Sequence, residues 1–200
     1  MALTIDYYLA PQSPWAYLGH ARFAALAHQV GARINVLPVD FGKVFAVSGG
    51  LPLGQRAAQR QAYRLVELAR TSKFLQMPMH VKPQYFPVSG DNAARLIITV
   101  GMHDGADAAM KLTGAVMKAC WAQQRNIADQ ATLAELLAES SLSAQRLEQS
   151  TSPVAQEHYD LFTQKAIAAD VFGAPSYVVD GEIFWGQDRL DYLERRLAMA

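Results

Sequence analysis

The residue whose type and position most clearly suggest chemistry is Ser13, which stands between an apolar, aromatic-rich stretch and a proline. Serine as the N-cap and Pro14 as the first helical residue together predict that a helix starts here. The unpaired backbone N–H groups at such a start favour a bound anion. Ser13 therefore either only caps the helix or also contributes its hydroxyl to a reaction, and the local sequence by itself favours the plain cap.

Thiol chemistry within the chain is restricted by its cysteine content. The 200 residues include one cysteine, Cys120, which excludes an internal disulfide and any C-x-x-C redox or zinc site. Cys120 falls on an apolar helix face and is interpreted as a core residue. The histidines show no metal-ligand spacing, so no metal site is predicted; they are His20, His28, His80, His103 and His158.

Two sets of side chains could bind a ligand or have a purely structural role. Arg56, Arg60 and Arg64 recur every four residues and therefore share a helix face. They could bind a carboxylate, although a solvated face is the favoured interpretation. Four aromatic residues could form a wall for a planar substrate or pack in the core; they are Trp15, Phe45, Tyr85 and Trp185.

Near the end of the chain, Gly186-Gln187-Asp188 precedes a predicted helix. The glycine permits a close approach of a ligand to the backbone, and a carboxylate ligand suits the helix N-terminus. The Asp188 carboxylate would either bind an ammonium group or act as a helix cap. Upstream, Ala174-Pro175 taken by itself predicts an ordinary trans proline.

Composition indicates a folded protein and argues against several classes of partner. Hydrophobic residues make up 51% of the chain, which is enough for a sizeable core. Lys plus Arg and Asp plus Glu both number 18, so the formal charge is zero, and broad binding to nucleic acid or acidic membranes is not expected. No apolar run approaches the ~20 residues of a membrane span, and the N-terminus lacks the features of a signal peptide, so a cytoplasmic location is expected.

Hydrophobic periodicity predicts a βαβ unit at the start of the chain. Its elements are a strand at 3–9, a helix at 14–30 and a strand at 33–39. The two strands are expected to be parallel because a helix connects them. Between about 55 and 152 the same patterns predict helices and no strand.

The last part of the chain returns to mixed elements. Ser152-Pro153 repeats the serine–proline start and opens another helix. Asp180-Gly181 separates two short apolar runs and favours a type I′ hairpin turn. A final helix is predicted over about 188–198.

The order of these elements is βαβ, a helical block, then αββα. It indicates an α/β protein with a thioredoxin-like fold that is interrupted by a large all-helical insertion. We predict that residues 1–40 and 153–200 form the thioredoxin-like domain and that 41–152 form the helical insertion domain. Neither half of the interrupted frame can complete the sheet alone.

Four motifs in a fixed order extend over nearly the whole chain. Residues 13–19 are S-P-W-A-Y-L-G, residues 171–176 are V-F-G-A-P-S and residues 184–190 are F-W-G-Q-D-R-L. In the predicted insertion, 63–70 follows the spacing Y-x3-[DE]-L-x-R. In this order the motifs resemble those of the 2-hydroxychromene-2-carboxylate isomerases, which are relatives of the kappa-class glutathione transferases among the DsbA-like thioredoxin-fold proteins.

This resemblance implies a role for each candidate site residue. The catalytic residue would be Ser13, whose hydroxyl would hold the thiolate of glutathione. The glutathione-binding residues would be Gln55, Ala174, Pro175 in a cis peptide bond, Gln187 and Asp188. The substrate-binding residues would be Trp15, Trp185 and Arg60.

The activity implied by the resemblance is the glutathione-dependent interconversion of 2-hydroxychromene-2-carboxylate and trans-o-hydroxybenzylidenepyruvate, or of a related intermediate of aromatic degradation. Glutathione would be the cofactor, a small aromatic molecule the substrate, and the protein a cytoplasmic homodimer without nucleic-acid or membrane partners. Two alternatives stay open: a kappa-class-like glutathione transferase, and a non-catalytic thioredoxin-fold protein that binds glutathione or a peptide. A general disulfide oxidoreductase is disfavoured because no C-x-x-C is present.

Overall fold

A computed structural model describes residues 3–199. Its strands are β1 Thr4–Leu9, β2 Arg33–Pro38, β3 Ser176–Val179 and β4 Glu182–Trp185. Its helices are α1 Pro14–Gln29, α2 Phe41–Ser48, α3 Ala58–Phe74, α4 Asp91–Asp104, α5 Ala106–Trp121, α6 Gln130–Glu139, α7 Gln145–Gln149, α8 Pro153–Ala168 and α9 Leu190–Leu197. Two 3-10 turns lie at Leu53–Gln55 and Gln187–Arg189. No helix within residues 3–199 has both the length and the apolar character needed to cross a membrane.

The four strands form one mixed sheet in the order β2-β1-β3-β4. β1 and β2 are parallel, which confirms the predicted βαβ unit. β3 lies antiparallel to both β1 and β4. The turn between β3 and β4 places Asp180 at φ 50° and Gly181 at φ 83°, as a type I′ hairpin requires. This is the thioredoxin-like arrangement predicted from the element order.

Hydrophobic clusters cover both faces of the sheet. On one face, Ile5 and Tyr7 of β1 pack in a large cluster that also includes Leu96, Leu112 and Trp121 from the helices between β2 and α8. On the other face, a smaller cluster joins β1 and β2 to α2 and α8. The sheet and the helical block therefore share a hydrophobic core. The division into 1–40 with 153–200 and 41–152 stays a prediction.

One helix that the sequence pattern did not predict, α2, follows β2 directly. Asp40 caps it, because its carboxylate accepts hydrogen bonds from the N–H groups of Gly42 at 2.8 Å and Lys43 at 3.4 Å. The helix has eight residues and contains Gly42, which weakens the helical signal in the sequence. It buries Phe41 and Val44 against the sheet. Tertiary packing thus stabilises a helix that is too short to be stable alone.

Candidate active site

Ser13 caps α1, as the serine–proline pair predicted. Its Oγ accepts a hydrogen bond from the backbone N–H of Ala16 at 3.2 Å, and its carbonyl accepts one from Tyr17 at 3.1 Å. The hydroxyl hydrogen has no acceptor within residues 3–199. A hydroxyl has one donor and two acceptor lone pairs, so the cap uses the oxygen and leaves the hydrogen available. The structural role of Ser13 and a role as a hydrogen-bond donor to a ligand are therefore compatible.

The Ala174–Pro175 peptide bond is cis, as the family resemblance implied. The backbone N–H and C=O of Ala174 make no hydrogen bond within residues 3–199. By contrast, the carbonyl of Pro175 accepts a hydrogen bond from the N–H of Gly186 at 2.9 Å, which joins this loop to the turn before α9. Backbone groups that have no hydrogen-bond partner can bind an extended peptide in the way that an added β-strand pairs with the edge of a sheet.

The turn at 186–188 depends on its glycine. Gly186 has φ +106°, and a Cβ at this position would collide with Oδ1 of Asp188. The buried Gln187 side chain contacts Arg22. The carboxylate of Asp188 is exposed and pairs with Arg189 at 2.9 Å rather than capping a helix. The helix-cap alternative for Asp188 is thus wrong, and its carboxylate remains accessible to a ligand.

A cavity of about 620 Å³ lies between α3 and these two loops, a size typical of small-molecule sites. Its lining includes six residues that were predicted for the site: Trp15, Arg60, Ala174, Trp185, Gln187 and Asp188. Ser13 and Pro175 are not lining residues, although each is within two positions of one. Gln55 is exposed on its 3-10 turn and does not line the cavity, whereas Gln59 contributes an amide to it.

One face of α3 forms a wall of the cavity. Arg60, Tyr63 and Arg64 of α3 contribute to it, and Arg56, two residues before the first residue of α3, lines the same cavity. Arg60 is exposed, as a solvated face predicts, whereas Arg64 is half-buried at the cavity. The spacing of four residues correctly placed Arg60 and Arg64 on one face of α3, but Arg56 lies outside the helix, and the sequence does not show what that face opposes.

The aromatic lining differs in part from the one considered from the sequence. Trp15, Trp185 and Tyr63 line the cavity, and Tyr63 and Trp185 are both exposed. Phe45 and Tyr85 do not. The ring of Trp185 packs edge-on to Phe172 and against Gly173, where any Cβ would collide with the indole. This packing holds a flat apolar surface at the cavity.

Burial alters the acid–base properties of Cys120 and of the cavity residue Arg64. It raises the pKa of the Cys120 thiol to about 12, and the side chain is buried on α5, which confirms its core position. The chain therefore supplies no reactive thiol. Burial, together with the charge of Arg56, lowers the pKa of Arg64 to about 10, so this guanidinium is still charged at neutral pH.

Comparisons with known proteins agree with this architecture. The model of the DSBA-like thioredoxin domain family matches residues 4–198. A 2-hydroxychromene-2-carboxylate isomerase of Sphingobium xenophagum is 31% identical over 199 residues, which cover 98% of this chain and 99% of that protein. A protein of the same name from Pseudomonas sp. (strain C18) is 28% identical over 208 residues and covers 100% and 92% of the two chains.

A solved structure of a 2-hydroxychromene-2-carboxylate isomerase superposes with a TM-score of 0.82 at 25% identity, covering 98% of this chain and 95% of that chain. The similarity thus extends over the sheet, the helical block and both loops of the cavity, and not only over the thioredoxin-like frame. The chain is an isomerase that belongs to the DSBA-like thioredoxin domain family and, within it, to the 2-hydroxychromene-2-carboxylate isomerases.

Proposed function

We propose that this protein is a glutathione-dependent isomerase that interconverts 2-hydroxychromene-2-carboxylate and trans-o-hydroxybenzylidenepyruvate. The observation that carries the proposal is the hydroxyl of Ser13, which caps α1 as an acceptor only and lies two residues before the lining residue Trp15 of a cavity with no thiol of its own. Membership of the isomerase family supports the reaction type. The proposal adds the sulfur donor and the residue that holds it.

The residues around the cavity fit the parts of glutathione. The unpaired N–H and C=O of Ala174 can bind the cysteinyl amide group as one strand binds another. The turn at 186–188 offers the exposed Asp188 carboxylate to the α-ammonium group, and its backbone N–H groups suit the γ-glutamyl carboxylate. This arrangement would place the thiol near Ser13.

Ser13 would act by donating a hydrogen bond to the thiolate form of the bound sulfur. A free thiol with a pKa of about 8.5 is mostly protonated at neutral pH. A charge-assisted hydrogen bond and the positive end of α1 both stabilise the thiolate, and a decrease of one to two pKa units requires about 1.4–2.7 kcal/mol. When bound, glutathione supplies the nucleophile that adds reversibly to the substrate and so permits rotation about a former double bond.

The remaining lining residues would position the substrate. Trp15 and Trp185 provide flat apolar surfaces for an aromatic ring. Arg60, which is exposed on the α3 wall, provides a cation that would attract an anionic substrate into the cavity. Holding both reactants in one cavity converts their encounter into an effectively unimolecular step.

The proposal is tested by following conversion of 2-hydroxychromene-2-carboxylate by ultraviolet absorbance, with and without glutathione. We expect conversion that depends on glutathione and leaves the glutathione concentration unchanged. Absence of conversion under both conditions would contradict the proposal. Consumption of glutathione with chlorodinitrobenzene, and no isomerisation, would identify a transferase instead. Binding of glutathione without turnover of either compound would identify a binding protein.

A further inference from the structure

Arg64 differs from every other charged side chain of the cavity in its surroundings. It lies half-buried in the middle of α3, and its guanidinium carbon is 5.2 Å from the ring centre of Phe86 and 5.7 Å from that of Trp121. Its side chain makes no hydrogen bond and no ion pair within residues 3–199. The two rings stabilise this half-buried cation through cation–π contacts but supply no anion, so the position favours a ligand that does.

The other charged groups of the lining already have partners or water. Arg56 donates through Nε to the carbonyl of Leu51 at 2.8 Å. The two acidic lining residues, Glu67 and Asp188, form ion pairs with Arg70 and Arg189 respectively. Arg60 is also unpaired, but it is exposed and can be hydrated. The unsatisfied charge of the cavity is therefore concentrated at Arg64.

The chemistry of the site indicates the kind of anion. A guanidinium over aromatic rings is held in a fixed plane, and the N–H groups at its edge match a carboxylate in two parallel hydrogen bonds. The lining carries three arginines and two acids, and both acids are already ion-paired, so the excess of one positive charge matches a singly charged anion such as a carboxylate. The exposed rings of Tyr63 and Trp185 line the same cavity and suit a planar apolar body.

We propose that Arg64 determines specificity by binding the carboxylate of a planar organic acid in a subsite on α3. This subsite lies on the α3 side of the cavity that also includes the loops at 174–175 and 186–188, which are proposed to bind glutathione. The inference rests on the proposed function for the identity of the second ligand. Arg64 is then the residue that makes the protein bind an acid more tightly than a neutral compound of the same shape.

The test measures binding of trans-2-hydroxycinnamate and of its uncharged amide by titration calorimetry, with and without saturating glutathione. In the wild-type protein the acid should bind more tightly than the amide. Arg64→Gln should weaken binding of the acid about tenfold or more, as loss of a charge-assisted hydrogen bond does, and should leave the amide and glutathione unchanged. Arg64→Lys should restore part of the preference, because it keeps the charge but loses the planar pair of donors.

Lys73→Gln is the matched control, since it removes one positive charge from the same helix at an exposed position outside the cavity. It should leave both affinities unchanged. A wild-type preference that survives Arg64→Gln, or a loss of glutathione affinity in that variant, would overturn the inference. Absence of isomerisation by the wild-type protein, with an Arg64-dependent preference for the acid, would remove the proposed function and leave the subsite in place. Melting curves of both Arg64 variants separate these outcomes from misfolding.

Discussion

Replacement of Ser13 by alanine separates its role as a helix cap from its proposed role toward sulfur, because the chain contains a matched second cap. Ser152 begins α8 as Ser13 begins α1: each precedes a proline, each helix has 16 residues, and the Oγ–N distances are 3.3 Å and 3.2 Å. Neither serine lines the cavity, but Ser13 is two residues from the lining residue Trp15, whereas Ser152 is more than twenty residues in the chain from any lining residue. The two substitutions should therefore have the same effect on folding and different effects on chemistry.

Each substitution removes one N-cap hydrogen bond. We expect both Ser13→Ala and Ser152→Ala to lower the free energy of unfolding by about 1 kcal/mol, measured by urea denaturation. Only Ser13→Ala also removes a donor to the thiolate, which is worth about 1.4 kcal/mol or more for a charge-assisted bond. This energy corresponds to an increase of about one unit in the pKa of the bound thiol.

The consequence at neutral pH is large enough to measure. If the bound thiol has a pKa near 7, about half is thiolate, and an increase of one unit reduces that fraction to about a tenth. The assay is the ultraviolet absorbance of the thiolate during pH titration of each protein–glutathione complex, beside turnover at fixed pH. Glutathione affinity should change far less than turnover, since the rest of the tripeptide keeps its contacts.

The result that would refute this reasoning is an unchanged thiol pKa and unchanged turnover in Ser13→Ala. Equal losses of turnover in Ser13→Ala and Ser152→Ala would also refute it, because they would show that helix stability alone accounts for the effect. A loss confined to Ser13→Ala, with equal unfolding energies, would confirm a direct role of the hydroxyl.

Two further predictions concern the turn before α9 and the response of the fold to pH. Gly186→Ala should destabilise the protein by about 1–3 kcal/mol and weaken glutathione binding, because φ is +106° and a Cβ would collide with the Asp188 carboxylate. Gly54→Ala is the control, since a Cβ there meets no other atom. Equal calorimetric affinities of the two variants for glutathione would contradict the prediction. Burial lowers the pKa of His20 to about 4, so the unfolded chain binds more protons below about pH 6.5 and stability must decrease as pH falls. Urea denaturation should give a free energy of unfolding about 2 kcal/mol lower at pH 5 than at pH 7 from this group, and an undiminished pH dependence in His20→Gln would exclude it as the source.

Much of the fold could be predicted because its signals are local. The helix start at Ser13-Pro14 and the hairpin at Asp180-Gly181 each depend on a few adjacent residues whose backbone preferences are strong. The order of the elements then limits the sheet topology. In contrast, α2 has only eight residues, one of which is a glycine, and its stability comes from contacts that are distant in sequence.

The sequence predicted the site residues on the loops of the thioredoxin-like frame better than those at the edge of the helical insertion. Motifs around 13–19, 171–176 and 184–190 placed the loops of the thioredoxin-like frame by resemblance, and the structure brings Ala174, Gln187 and Asp188 together there. Gln55 was expected at the site but lies outside the cavity lining. A residue at the edge of an insertion is positioned by how the whole insertion packs, which a motif of a few residues does not specify.

The sequence by itself determined that the chain has a capped helix start with a hydroxyl, a single cysteine placed elsewhere, and Arg60 and Arg64 on one helix face. Only the tertiary structure decided that this face of α3 lies across a cavity from Trp185 and Asp188, and that Arg64 is left there without an anion. The physical reason is that periodicity records which side chains share a face of a helix. What that face contacts depends on packing between segments more than one hundred residues apart in the chain.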